Sequence, residues 1–414
     1  MHLTAHERLE RAAQGMRPAL RAPARMKAAR APSDRLGLLA VLTIGAYLFA
    51  KQFYFFSGGS IQPADGLITA MALFVVGPRG LAQFLRQQPL LTAMTIWIAL
   101  VNFTWFAISG VSDYVVTTLY YVFNLFVVVA VFSTRLDRPE AFDRIVPWFI
   151  FAAILAQFAV VYYIGDSAGL RSKGTFRNPN QLAYWGVCLF SLLMILRSNK
   201  PKPIDLPFLL MILYCEAMSA SRAGVVATAL LMLIWLYFAL RTPALRMVGA
   251  AAGVVAACLL MVAGAVSTDR IVSDDRVRIR LNDNREGQIE ERNYDRIVDN
   301  YEYIVVGAGE GDLERWGSGD EFAMEIHSSF GTMLFSYGLP GLALFVAFLA
   351  AATLRAPFGL AIYLLPPILY GVTHQGLRFS FFWIVIGVLL AIGEAARRRR
   401  VSQRPLYTGR RLAF

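Results

Sequence analysis

Charge is scarce in this chain: 16% of its 414 residues are Asp, Glu, Lys or Arg, against 57% that are hydrophobic. That is too little polar surface to clothe a soluble globule of this length, which excludes water as the main solvent. Cysteine is scarcer still. The three present, Cys188, Cys215 and Cys258, all fall inside apolar runs, which argues against a disulfide framework or a thiolate metal site and for packing roles. There are four histidines, two of which, His2 and His6, lie in a basic N-terminal arm. That arm has no adjacent apolar core or small-residue cleavage site, so no cleaved signal peptide is expected. No internal repeat and no Pro/Ser-rich linker divides the rest.

Apolar runs are what the chain has in abundance. Runs of about 17 to 22 residues recur along nearly the whole length, each long enough to cross roughly 30 Å of hydrocarbon as a helix. In lipid an open segment satisfies its backbone only as a helix. The expected class is therefore an all-α polytopic integral membrane protein of about twelve transmembrane helices. The spans fall near 36–56, 64–84, 89–109, 114–134, 145–165, 181–197, 204–220, 223–240, 246–266, 330–353, 357–373 and 378–395. The domains expected are a basic arm over 1–35, nine spans within 36–266, one large outer loop or cap over 267–329, three spans within 330–395 and a basic tail over 396–414.

The net charge of +12 is concentrated in tails and short loops, which fits membrane orientation and anionic lipid rather than nucleic acid. With the N-terminus in the cytoplasm, Arg79, Arg86, Arg135, Arg138, Arg144, Arg197, Lys200, Lys202, Arg241, Arg246 and Arg355 all fall on the cytoplasmic side. The run Arg397 to Arg400 falls there too, so both termini are expected inside. The exceptions carry information. Arg171, Lys173, Arg177, Arg222 and Arg378 map to the outer side, together with His327 and His374. Any one of these cations could snorkel to lipid phosphate; five beside the only outer histidines point to a shared anionic ligand.

The cap over 267–329 holds 16 of the chain's 28 acidic residues against 8 basic ones. Within it Ile297, Val298, Tyr301, Ile304 and Val305 recur at helical spacing, which predicts a short amphipathic helix lying across the membrane domain.

Four strings bear on chemistry. In HSSFGTMLFSYGLPGLALF, from His327 to Phe345, a polar loop end runs into a span through a Gly-Leu-Pro-Gly break, which lets backbone line a cavity. His327 is a natural proton acceptor near neutral pH; the alternative is a satisfied histidine at a helix end. SASRAG places Arg222 between two spans, with Glu216 before it as an intramembrane carboxyl whose expected counter-ion is Arg222. GLRSKGTFRNPNQLAYW joins Arg171, Lys173 and Arg177 to Asn178 and Asn180 at a helix start, where charge and dipole both favour phosphate. Asn178 and Pro179 are also ordinary helix-entry residues. VVGAGEG, Val305 to Gly311, follows a helix and has no P-loop lysine, so it is read as a tight turn.

Taken in order, these strings resemble the O-antigen ligase and polymerase superfamily of bacterial envelope glycosyltransferases. RNPNQLA is similar to that family's Asn-Pro-Asn segment, SASRAG to its Ser-Arg segment, and VVGAGEG to the Gly-rich turn late in its large periplasmic loop. His327, Ser328, Gly338 and Gly341 match its His, polar residue and paired Gly pattern. The resemblance covers about residues 170 to 345. It implies a GT-C-like membrane fold in the inner membrane and inverting transfer on the periplasmic face, without metal or other cofactor. The donor implied is an undecaprenyl-pyrophosphate-linked glycan. The acceptor implied is a lipid A core sugar for a ligase, or the growing glycan for an O-antigen or exopolysaccharide polymerase. In that reading His327 is the base and Arg222 the first pyrophosphate contact. Arg171, Lys173, Arg177, Asn178, Asn180, His374 and Arg378 follow as binding residues, with Arg285 and Arg292 as further loop candidates. A transporter is the competing class; it would place charges at the bilayer midplane and show related halves.

Overall fold

The computed structural model describes residues 34–56, 62–164, 171–240, 293–316 and 325–403, with Pro243 and Gly249. Every regular element among them is a helix. The long ones are α1 (Asp34–Ala50), α2 (Pro63–Gln87), α3 (Pro89–Ser109), α4 (Asp113–Asp137), α5 (Pro139–Ile164), α6 (Pro179–Leu196), α7 (Asp205–Ser219) and α8 (Arg222–Ala239). Two short helices follow, α9 (Asp295–Asp299) and α10 (Tyr303–Val306), then α11 (Ser329–Arg355), α12 (Phe358–Thr373) and α13 (Ser380–Ser402).

Eight of these helices are long and apolar enough to cross a membrane. Helices stand at eleven of the twelve expected span positions; α1, α7 and α12 are the shorter ones. The ninth expected span, 246–266, lies outside the described residues apart from Gly249. So do most of the arm, the tail beyond 403, and the cap residues 267–292 that include Arg285 and Arg292.

Local sequence chemistry sets the helix limits. Proline occupies the first turn of α2, α3, α5 and α6, where its missing N–H costs nothing. Asn178, Ser221 and Ser328 cap α6, α8 and α11 by accepting from the N–H of Asn180, Gly224 and Gly331.

Burial separates centre from rim. In α6 and α13, 83% of the apolar window is enclosed, against 22% in α2 and 33% in α3. Thus α13, packed on α4, α6 and α11, forms the core, whereas Phe74, Ile96, Leu100 and Trp148 on the rim face outward. Such an apolar exterior is what lipid requires and water would not tolerate. Cys188 and Cys215 are buried and unbridged.

The Gly-Leu-Pro-Gly break organises one end of the bundle. Gly338 sits at φ 67°, ψ −174° inside α11, a conformation open essentially to glycine alone. The carbonyls released there do not go unpaired: Phe335 O accepts from Ala308 N (2.9 Å), Ser336 O from Gly309 N (2.9 Å) and Tyr337 O from Trp97 Nε1 (2.8 Å). The Gly-Ala-Gly turn therefore docks on the break as a backbone-to-backbone contact. A Cβ on Gly307 would lie 2.5 Å from Ser336 O, and one on Gly338 2.7 Å from Val305 O. Gly338→Ala is expected to cost at least about 1–3 kcal/mol from backbone strain alone. Gly66→Ala, in open space on α2, should be neutral; thermal unfolding of the two variants in detergent checks this contrast.

The cap differs from the single amphipathic helix expected. Asn300 returns its side-chain amide to Arg296 O (3.2 Å) and ends α9, and α10 begins at Tyr303. Ile297 and Tyr303 pack inward with Ala308, Ile326 and Phe335. Val298, Tyr301 and Val305 point away, 72%, 72% and 62% exposed, so the spaced apolar residues do not share one buried face. Arg315 pins this segment to α3: its guanidinium lies over Trp105 (4.1 Å), Trp316 (4.4 Å) and Tyr303 (4.7 Å), a cation held by ring faces.

Candidate functional site

The strings singled out above are distant in sequence but meet at one end of the bundle. Arg171 donates from Nε to Ser219 O (2.8 Å) and from Nη2 to Asn180 Oδ1 (2.9 Å). It thereby ties the loop before α6 to the end of α7. Tyr370 Oη donates to Asn180 O (2.9 Å) and lies 3.0 Å from Ser221 Oγ, so α12 joins the starts of α6 and α8. The Tyr370 ring packs edge-on to His374 (5.4 Å between centroids). From there Ser329 Oγ donates to His374 O (3.1 Å) and accepts from Gly376 N (3.0 Å), which brings in the start of α11.

His327 precedes the Ser328 cap of α11. Its main-chain carbonyl lies 3.1 Å from Tyr294 Oη, which also reaches Val372 O (3.2 Å). Its Nδ1 is buried with no partner. The backbone is held by Tyr294, and the buried Nδ1 is left without a hydrogen bond among the described residues.

The cations fall into two groups. Lys173, Arg177 and Arg222 are exposed; Arg177 gives one hydrogen bond, to Phe56 O (3.0 Å). Arg222 does not meet Glu216 as expected. Ala220 adopts a left-handed turn (φ 50°), after which Arg222 opens α8 on the surface. Glu216 stays fully buried and accepts from Thr228 Oγ1 (2.6 Å). Asn178 acts as the helix cap.

Arg378 belongs to the second group. Its guanidinium is bracketed by Glu310 (Nε to Oε1, 3.4 Å) and Glu325 (Nη2 to Oε1). Glu310 comes from the Gly-rich turn and was not a candidate in the sequence. It accepts from Tyr121 Oη and Tyr337 Oη (each 2.8 Å) and from Gln375 Nε2 (3.0 Å), while its N–H donates to Asn102 Oδ1 (2.9 Å). Burial pushes the Glu310 carboxyl above its ordinary range, and the charge of Arg378 offsets this only in part. Burial acts the same way on Glu325, but Arg378's charge and hydrogen bond outweigh it and hold that carboxyl low. Two carboxylates accordingly raise Arg378 above its already high range. Glu310, Asp312 and Glu325 line a cleft together with Thr332 and Ser336.

A second buried pair went unread in the sequence. Lys51 Nζ lies 2.6 Å from Asp65 Oδ2, and Tyr47 Oη reaches both Asp65 Oδ1 (3.2 Å) and Ser380 Oγ (2.9 Å). The signal available was a lone lysine within an apolar run followed by an aspartate opening the next.

The opposite helix ends carry Arg135–Asp143 (2.8 Å), Arg197–Asp205 (3.2 Å) and the Glu394 pairs with Arg397 and Arg398. Most cations expected on the cytoplasmic side stand at that end of their helices. No family model matches this chain, and no curated protein matches it.

Proposed function

We propose that this chain is an envelope glycosyltransferase of the O-antigen ligase type. In this reading it spans the inner membrane about twelve times with both termini in the cytoplasm, and it works on the periplasmic face. It transfers a glycan en bloc from undecaprenyl pyrophosphate to a lipid A core sugar. The observation that carries this reading is the hydrogen-bonded junction of Arg171, Asn180, Ser219, Ser221, Tyr370, His374 and Ser329. It joins residues of RNPNQLA, SASRAG and the helix start that follows His327, which supports the reading.

The chemistry asks for a base and a cationic cradle. An acceptor hydroxyl attacks the donor's anomeric carbon, the C–O bond to pyrophosphate breaks, and the hydroxyl proton passes to His327. Pyrophosphate leaves carrying the bond electrons and needs no proton. Exposed Lys173, Arg177 and Arg222 supply the positive charge that stabilises it, arginine by paired donors. Arg285 and Arg292 remain further candidates for the same role.

Disrupting the gene should leave free lipid A core beside finished polymer on the carrier lipid. Single-repeat glycans in its place would assign the chain to the polymerase reaction, with the growing glycan as acceptor.

A further inference from the structure

Val298, Tyr301, Val305 and Val306 leave a large apolar surface of the cap exposed. Their height along the bundle says what covers it. A Cβ on Gly338 would lie 2.7 Å from Val305 O and 2.7 Å from the carbonyl carbon of Val306, and Trp105 Nε1 donates to Gly307 O (3.0 Å). The end of α10 is therefore level with Gly338 on α11 and with Trp105 on α3. Those two helices share one floor, where Arg355 Nη1 donates to Gln88 Oε1 (3.3 Å). Measured from that floor at about 1.5 Å per residue, Gly338 stands roughly 25 Å up α11 and Trp105 roughly 24 Å up α3, both within a hydrocarbon thickness of about 30 Å. Tilt of the helices only lowers these heights.

The same surface continues one that faces lipid. Leu339, Ala343, Val346, Ala350 and Leu354 are exposed along α11, spaced as a single helical stripe. Leu339 follows directly on the glycine against which Val305 and Val306 rest. At the other edge Asp299 and Glu302, also exposed, stand at the end of α9 and in the turn after it. They limit the depth, since a charged side chain resists hydrocarbon.

We propose that α9 and α10 form a membrane-dipping edge of the cap, with Val305 and Val306 immersed in the acyl chains of the adjoining leaflet and Val298 and Tyr301 at its interface. A tyrosine, apolar in body and polar at its tip, suits that level. Lipid thus holds the cap from outside while the backbone contacts of the Gly-Ala-Gly turn hold it from within. The inference rests on the apolar spans and the contacts of α10, and is independent of the transferase reading.

The experiment is nitroxide scanning of the full-length protein in nanodiscs, one spin label at a time, with the three native cysteines replaced by alanine. Collisions with oxygen, which concentrates in hydrocarbon, are compared with collisions with a water-soluble nickel chelate. The oxygen-to-nickel ratio at Val305→Cys and Val306→Cys is expected to match that at Val346→Cys on the lipid-facing stripe. It should exceed the ratio at Glu302→Cys by at least about tenfold, because a polar chelate is excluded from hydrocarbon. Val298→Cys and Tyr301→Cys should fall between. High nickel access at Val305→Cys and Val306→Cys would put this edge in water, and low access to both probes would mean that protein covers it; either result overturns the proposal. If the cysteine-free background does not fold, the photocrosslinker p-benzoylphenylalanine placed at Val305 in the otherwise native chain decides instead. A lipid adduct detected by mass supports the immersed edge, and its absence overturns it.

Discussion

His327→Ala is expected to reduce glycan transfer by about 10²- to 10⁴-fold, the usual worth of a positioned general base, while expression and binding of the lipid-linked donor stay near wild type. The separation is expected because the structure uses the backbone of His327, not its ring, to hold the segment: Tyr294 approaches the carbonyl, and Nδ1 has no partner. Alanine keeps the carbonyl and the following Ser328 cap. Transfer would be followed with purified variant and lipid-linked glycan, and donor binding measured in parallel. Near-normal product would remove His327 from the mechanism. Loss of donor binding together with product would move it from base to binding residue.

Asp65→Ala carries the largest expected effect on stability. Lys51 is 8% exposed and its ammonium rests on Asp65. Removing one member of a buried pair strands the other charge in a low-dielectric interior, at a cost of about 3–5 kcal/mol. The same substitution also removes the hydrogen bond from Tyr47 on α1 to Asp65 on α2. A marked fall in the unfolding temperature in detergent is expected, and Lys51→Met added to Asp65→Ala should recover much of it, because an apolar side chain can be buried unpaired. A single variant that melts within a degree or two of wild type would mean that the lysine finds water or lipid phosphate.

How far the fold was legible in the sequence follows from what each feature depends on. Helices recur at the expected positions because apolar length, first-turn prolines and Asn or Ser caps are local properties. The break at Gly338 was legible for the same reason. What the break does was not, since its partners are the Ala308 and Gly309 amides and Trp97 far along the chain. Glu310 is the sharpest case. Locally it is an acid in a glycine turn, and only tertiary folding brings Tyr121, 189 residues away, onto its carboxylate. The sequence marks Arg378 as a cation expected on the outer side; its occupation by two carboxylates is not written in any spacing. Periodicity in 297–305 overstated the helix because it registers apolar residues and not the Asn300 side chain that stops the turn.

The same reasoning explains why Arg222 and Glu216 part company. Arg222 is the cation nearest in sequence to the intramembrane carboxyl of Glu216, which is what suggests an ion pair. The left-handed residue Ala220 turns the chain between them, so one enters the core and the other the surface. Arg222 is thereby exposed for an outside anion, in keeping with the role proposed for it.

The central claim is that this membrane protein joins a lipid-linked glycan to a sugar acceptor at its outer face. Purified protein reconstituted with an undecaprenyl-pyrophosphate glycan and lipid A core should yield glycosylated core and free undecaprenyl pyrophosphate in equal amounts. Unchanged donor, with an unmodified solute accumulated by the same proteoliposomes, would contradict the account and identify a transporter.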